Sequence, residues 1–486
     1  MKVGFNNEKK RDFEVDTKEL VKVTASGWMG TAMEFMDFQL YSLAAAIVFS
    51  DIFFPEMTPA MGLVMAMGTY GAGYVARLLG AYVFGRMGDK IGRRTVLFVT
   101  IMLMGLASTA IGFLPTYQQV GILAPIGLVI LRIVQGFGAG AEISGAGVMV
   151  AEFAKKSNRG LVGSFVCLGT STGTLLANLI WTIILTKLDQ KSLMAWGWRI
   201  PFYASFVIMI VAVLIRIFIK ESPVMAEKKK LLTEQRQKEL ENQKANGDVP
   251  TVQKKHFKLS KSLLVALGLR FGQAGNSGIM QTYLAGFMVT FLSIQKTVTT
   301  NANIIASLIS FVTIPIVGWL GDKIGRRRMY LILSGAMALY AIPMLLMIET
   351  KNTVLLTLAM VIGLNVGVQG IFALENVMLP ELFGSKNRMT LMALAKEIAG
   401  VIATGFGPLI AASLVSAAIG SWWPVAIMIV VFSLFTFVSA YLSVDTNGRD
   451  LNDLDDAMDD ISLKSENLHN RATSELVDAH TGVKKH

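Results

Sequence analysis

Cysteine is nearly absent from this chain, and charge is scarce. The one cysteine, Cys167, has no partner for an internal disulfide and belongs to no redox motif. Four histidines, His256, His469, His480 and His486, all stand in polar stretches, so no apolar segment carries a histidine metal ligand or proton relay. Charged residues make up 16% of the 486, against about 25% in soluble domains. No metal-ligand spacing and no phosphate loop occurs, so neither a metal nor a cofactor is expected. The first twenty residues mix both charge signs and lack an early apolar core, so no cleaved signal peptide is expected.

What is abundant is apolar. Hydrophobic residues reach 53% and the mean hydropathy is +0.53. A chain of this kind folded in water could not cover its outside with polar groups. A bilayer core about 30 Å thick needs about 20 apolar residues of helix, and a window of that size finds twelve runs: 25–49, 61–86, 95–114, 121–151, 161–185, 197–219, 262–292, 302–320, 329–348, 353–379, 390–417 and 422–444. The expected fold is an all-α membrane protein of 12 transmembrane helices in two pseudo-symmetric halves. Its parts are an N-terminal segment (1–24), a first six-helix half (25–219), a linker (220–261), a second half (262–445) and a tail (446–486).

Lys and Arg are retained on cytoplasmic flanks. With the N-terminus inside, 35 of the 45 fall on inside segments, five on outside loops and five within spans. Both termini are therefore expected in the cytoplasm. The net charge of +11 then has a topological origin and requires no nucleic-acid partner.

An internal repeat supports the two halves. The run Gly85-Arg86-Met87-Gly88-Asp89-Lys90-Ile91-Gly92-Arg93-Arg94 returns as Gly318-Trp319-Leu320-Gly321-Asp322-Lys323-Ile324-Gly325-Arg326-Arg327. Glu152 and Arg159 after the fourth run return as Glu381 and Arg388 after the tenth. Six plus six helices with a site between them is a transporter layout. In the repeated loop, glycines permit a tight turn. Asp89 and Asp322 can cap or pair with a neighbouring helix end, while the arginines are expected to face anionic head groups and helix C-termini. Such a charge latch can hold the halves together on that side.

The repeated loop also resembles the signature of the major facilitator superfamily. Met33-Glu34-Phe35-Met36-Asp37-Phe38, Arg132-Ile133-Val134-Gln135-Gly136-Phe137, Gly140-Ala141-Glu142, Trp196-Gly197-Trp198-Arg199 and Glu221-Ser222-Pro223 are similar to the metabolite:proton symporters of that superfamily. The resemblance implies import of di- or tricarboxylates, shikimate, or proline and betaine across a bacterial cytoplasmic (inner) membrane by a single chain acting as a monomer. The chain departs from that pattern at Leu78 after Arg77 and at Lys396-Glu397 in the eleventh run. Heptad spacing at Leu451, Leu454, Met458, Ile461 and Leu468 is too short for the coiled coil of osmosensing relatives.

An ionisable group at mid-bilayer costs about 2.5–3.5 kcal/mol on insertion scales, so each needs a partner or a task. Glu34 and Asp37 stand three apart near the middle of the first span and are expected to interact, which suits proton coupling; alternatively one pairs with an arginine. Proton rather than sodium coupling is what the resemblance implies, since carboxylates serve either ion. Arg132, with Gln135, either clamps a substrate carboxylate or pairs with Glu34 or Asp37. Arg77 is assigned to substrate or gate. Arg270 opens a polar, glycine-rich run that weakens the seventh helix and lines a cavity, with Asn276 and Tyr283 as further substrate contacts. Lys396 and Glu375 form an expected intramembrane pair. Arg216, near a span end, is read as snorkelling. The latch comprises Gly85, Asp89, Arg93, Arg94, Asp322, Arg326, Arg327, Glu152, Arg159, Glu381 and Arg388.

Two motifs are discounted. Gly169-Thr170-Ser171-Thr172-Gly173 matches a hydrolase nucleophile elbow but lies in an apolar helix without a histidine. Gly136-Phe137-Gly138-Ala139-Gly140 lacks the βαβ context of a dinucleotide site. Both read as helix-packing seams, and the chain is not an enzyme. The leading expectation is import of a small carboxylated metabolite, an organic acid or a zwitterion, with protons by alternating access. A proton-coupled drug or metabolite exporter and a non-transporting solute sensor are the alternatives.

Overall fold

The computed structural model describes residues 17–57, 59–227, 230, 233 and 260–459. Most of the linker (220–261), the tail beyond 459, all four histidines and the heptad positions Ile461 and Leu468 lie outside the described residues. Among those described, every regular element is helical.

The first half holds six spans. Span one is Thr17–Ala44, continued by a π turn (Ala45–Phe49) and Ser50–Phe53. Spans two to six are Pro59–Ile91, Arg93–Gly112, Leu123–Phe153, Arg159–Lys187 and Gly197–Ile217. The second half repeats the plan. Span seven is Lys261–Ser277, continued by a π turn (Gly278–Tyr283) and Leu284–Thr290. Spans eight to twelve are Lys296–Ile324, Arg326–Glu349, Thr353–Leu382, Arg388–Ala417 and Trp423–Leu442.

Among the described residues, nine spans are long and apolar enough to cross a bilayer unaided, and span one is a tenth if its two parts, bent by 43°, count together. Spans two and seven complete the twelve. Their hydropathy is diluted by Arg77 with glycines and tyrosines in one, and by Arg270, Gln273 and Asn276 in the other.

Local chemistry sets the helix ends. Ser260 Oγ accepts the Leu263 N–H at 3.1 Å and caps span seven. Pro201 and Pro424 occupy the first turns of spans six and twelve, where a missing N–H costs nothing. Gly92 and Gly325 adopt φ of +126° and +99°, a turn closed to residues with a Cβ, and these separate spans two from three and eight from nine.

Glycine seams draw certain spans into backbone contact. A side chain at Gly136 would strike the Gly73 carbonyl, and one at Gly80 the Phe137 carbonyl, so spans two and four touch closely. Gly169 and Gly173 lie likewise against the backbone of span one at Trp28 and Ala32. The halves meet along two related seams. Span five lies on span eight, where the Ser171 and Ser310 hydroxyls share a hydrogen bond, and span two lies on span eleven, with Gly85 against the Thr390 backbone. Side chains at mid-membrane on these spans therefore converge between the halves.

Candidate functional site

The repeated loops lie at one end of the bundle, here termed the loop face. Asp89, ending span two, accepts the backbone N–H groups of Met389 (3.1 Å) and Thr390 (2.9 Å) and the Thr390 hydroxyl (2.7 Å) at the start of span eleven. Asp322, ending span eight, does the same for Gly160 (2.7 Å) and Leu161 (2.8 Å) at the start of span five. Each aspartate thus caps a helix of the opposite half, where orphan N–H groups and the helix dipole favour an anion. Buried ion pairs back both caps. Glu152 meets Arg93 (3.2 Å) and Arg388 (3.1 Å), while Glu381 meets Arg159 (2.9 Å) and Arg326 (3.5 Å). Arg326 and Arg93 also reach Asp322 (2.7 Å) and Asp89 (3.3 Å) in their own loops.

The arginines do not all face head groups as expected. Arg93 and Arg326 are fully buried, because each is needed beside two carboxylates. Only the second arginine of each pair reaches the surface. There Arg94 donates to Ile217 O (2.8 Å) and Arg327 to Ala440 O (3.2 Å) and Tyr441 O (2.7 Å), the ends of spans six and twelve.

At mid-membrane in the first half, Glu34 pairs with Arg77 (2.7 Å), and Arg77 reaches across to Glu397 of span eleven through Nε (2.7 Å) and Nη2 (2.8 Å). Asp37 accepts from Ser108 (2.6 Å) on span three and Ser205 (2.7 Å) on span six. Gln135 donates to Ser108 in turn and accepts from Arg132, so a polar chain joins Arg132 to Asp37. The Arg132 guanidinium lies 3.8 Å from the Tyr41 ring centre and 5.4 Å from that of Phe38, contacts that stabilise a desolvated cation. Glu34 and Asp37 therefore take separate partners instead of acting on one another.

In the second half, Glu375 of span ten lies between Arg270 (3.2 Å) of span seven and Lys396 (3.1 Å) of span eleven. Arg270 also donates to Gln273 Oε1 (2.5 Å), and Lys396 to Asn376 Oδ1 (2.5 Å). Asn376 donates across the seam to Cys167 Sγ (3.0 Å) on span five. A small pocket lies beside this cluster, walled by Arg270, Gln273, Ser277 and Gln281 of span seven and Gln369 and Phe372 of span ten, with Phe35 and Thr170 from the first half. The Arg270 side chain keeps 17% exposure there, against 8% for Arg77.

The structure therefore brings Arg270 to the pocket and buries Arg77, Arg132 and Gln135 within the first half's polar network. Asn276 donates to Ser433 (3.0 Å) on span twelve, and Tyr283 packs with Phe287 at 6.2 Å between ring centres. The backbone loosens at Gly278–Tyr283, just after the glycine-rich run, and π turns of this kind are frequent at functional sites. Arg216 is no snorkelling residue. It is buried, with its guanidinium on Glu142, Ser26 (3.3 Å) and the Leu97 carbonyl, because the break in span four after Ala139 turns Glu142 inward. Sequence reasoning missed the pairing of Glu397 with Arg77, the serines holding Asp37, and the Thr170–Gln369 contact (3.3 Å) across the halves. An unexplained carboxylate in span eleven was the one signal for the first.

Known proteins resemble this chain in sequence and in fold. The Major Facilitator Superfamily model matches residues 27–408 and 273–457. The chain is 50% identical over 427 residues to "Putative transporter YdfJ" of Escherichia coli (strain K12), covering 87% of this chain and 97% of that one. It is 29% identical over 425 residues to the Shikimate transporter of the same organism, covering 87% and 94%. Among solved structures, the proton:xylose symporter XylE bound to 6-bromo-6-deoxy-D-glucose shares the fold at a TM-score of 0.71 and 17% identity, over 90% of this chain and 98% of that one. With twelve helical spans in two repeated halves and that family match across nearly all of them, the chain belongs to the Major Facilitator Superfamily, as a multi-pass membrane transporter and not an enzyme.

Proposed function

We propose that the protein imports a small carboxylated metabolite together with protons, by alternating access of its two halves about the central pocket. The observation that carries this is Arg270, a guanidinium at the wall of a pocket between the halves, surrounded by amide and hydroxyl groups. A cation so placed recognises a carboxylate through charge-assisted hydrogen bonds, and the amides orient the rest of the solute. The name of the shikimate transporter, a carboxylate carrier among the relatives, agrees with this reading.

Arg77, Arg132 and Gln135, buried in the first half's polar network in this arrangement, join the solute path when the halves move, and Asn276 and Tyr283 shape span seven behind Arg270. Glu34 and Asp37 carry the proton. One Glu34 oxygen, Oε2, is buried without a hydrogen-bond partner, so protonation there would cost no existing bond and would loosen Glu34 from Arg77. Arg77 also holds Glu397, so this one residue links proton binding to the contact between halves. The capped loops form the gate on the loop face, which the Lys and Arg distribution assigns to the cytoplasm. The chain resides in a bacterial inner membrane, with both termini cytoplasmic, and works as a monomer.

Reconstitution into liposomes with a pH-sensitive dye inside tests this. Added organic acid or betaine should acidify the lumen without sodium. Solute accumulation at constant lumenal pH would replace proton symport with facilitation or sodium coupling. Silence across the panel from folded protein would remove the carboxylate reading.

A further inference from the structure

The second-half cluster does not match an isolated structural ion pair. Glu375 is fully buried and faces two cations, Arg270 at 3.2 Å and Lys396 at 3.1 Å. The two cations carry one more positive charge than the single carboxylate between them neutralises. The contact with Arg270 is a single one, unlike the two-pronged grip of Arg77 on Glu397 at 2.7 and 2.8 Å. Arg270 Nε is buried with no hydrogen-bond partner at all. Both cations lie over the same ring, Phe372, at 5.5 Å and 5.0 Å from its centre, and Phe372 lines the pocket. A guanidinium that meets its one anion through a single contact, shares that same nitrogen with the Gln273 amide oxygen and leaves Nε without an acceptor is poised to exchange that anion.

We propose that Glu375 is a tethered stand-in for the substrate's carboxylate. It occupies Arg270 in the empty transporter, and the incoming carboxylate displaces it onto Lys396. This rests on the reading of Arg270 as the substrate's anchor. Lys396 is already in contact with the other oxygen, Oε1, so the displaced charge moves without crossing apolar space. Once Glu375 belongs to Lys396, Arg270 has one positive charge to satisfy, and the pocket wall otherwise offers amides (Gln273, Gln281, Gln369) and hydroxyls (Thr170, Ser277). The substrate class that fits is a monocarboxylate carrying hydroxyl or other hydrogen-bonding groups. A dicarboxylate would bring a second charge with no cation to meet it, at the desolvation cost of an unpaired ion.

A built-in competitor lowers apparent affinity by the fraction of time it holds the site. Neutralising Glu375 should therefore tighten binding, and removing Lys396 should weaken it by leaving Glu375 on Arg270. The test is calorimetric titration of purified full-length protein with shikimate, proline, betaine and succinate. A monocarboxylate that binds the unaltered protein should bind Glu375→Gln about fivefold or more tighter and Lys396→Met about fivefold or more weaker. Succinate should bind more weakly than the monocarboxylates throughout. Should Glu375→Gln fail to fold, Lys396→Met alone carries the test through the opposite sign. If a monocarboxylate binds the unaltered protein but Glu375→Gln binds it no better, or Lys396→Met no worse, the stand-in is overturned while Arg270 keeps its substrate role. Succinate binding as tightly as the best monocarboxylate overturns the single-charge rule. If no carboxylate binds any folded form, the anchor reading itself fails and this inference with it.

Discussion

Arg77 on span two grips Glu397 on span eleven with both Nε and Nη2, at 2.7 and 2.8 Å, and so ties the halves together in mid-membrane. The same guanidinium holds Glu34 at 2.7 Å. Removing one member of a buried pair costs about 3–5 kcal/mol because it strands the other charge. Arg77→Met strands two carboxylates, whereas Glu397→Gln leaves Arg77 with Glu34. Arg77→Met should therefore lower the melting temperature in detergent more than Glu397→Gln, and both should abolish most uptake. The exchange Arg77→Glu with Glu397→Arg should recover part of the stability. Equal melting shifts for the two single variants would show that Glu34 does not share the guanidinium.

Glu34→Gln and Asp37→Asn should separate proton coupling from solute movement. Both are expected to stop uphill accumulation driven by a proton gradient, while exchange of labelled for unlabelled solute across the same liposomes continues. Loss of exchange along with accumulation would assign these carboxylates to solute binding or folding.

The single cysteine is an internal reporter of the seam. Cys167 is fully buried, donating to Phe372 O at 3.3 Å and accepting from Asn376 across the halves. Asp89→Asn and Asp322→Asn weaken the charge-assisted caps that close the loop face. Each should raise the rate of maleimide labelling of Cys167 severalfold, and the double variant more. An unchanged rate would mean that the surrounding ion pairs close the face without the caps.

Glu142 and Arg216 form a buried pair that touches neither pocket nor seam. Glu142→Gln or Arg216→Met alone should destabilise by about 3–5 kcal/mol. Replacing both, as Glu142→Leu with Arg216→Met, should cost less than the worse single change, since apolar pairs often substitute for buried ions. Thermal melting of the three proteins decides it, and a double variant worse than both singles would give the pair a role beyond mutual neutralisation.

The apolar runs and the offset between the two Gly-Asp-Arg loops revealed the architecture because a bilayer imposes span length and a duplicated half repeats its turns. The caps were half legible: Asp89 and Asp322 were expected at helix ends in a latch between the halves, but nothing in the loop reveals which helix of the other half each one meets. Partners of the intramembrane charges were the hardest to read. Arg77 and Glu397 are 320 positions apart, and Ser108 and Ser205 are ordinary small residues until Asp37 faces them. Arg216 misled because distance from a span end is a guide to snorkelling only when the helix faces lipid. Contacts across a bundle are set by which faces meet, and helical periodicity alone does not encode that.

Past span twelve the chain turns back under the bundle. Arg449 donates to Glu381 O (2.6 Å), Ser385 to Asp453 O (2.8 Å) and Ala457 to Leu382 O (2.9 Å), all ties to the second half. Leu451 packs with Ala151 and Val224, and Lys156 meets Asp450 at 3.1 Å, ties to the first. In the alternating access proposed above, opening the loop face would unfasten this strip from one half in every cycle. The last span ends at Leu442, yet a polypeptide severed there would lose the hasp along with the tail. Its gate would swing more freely than that of a chain that keeps residues 449–457.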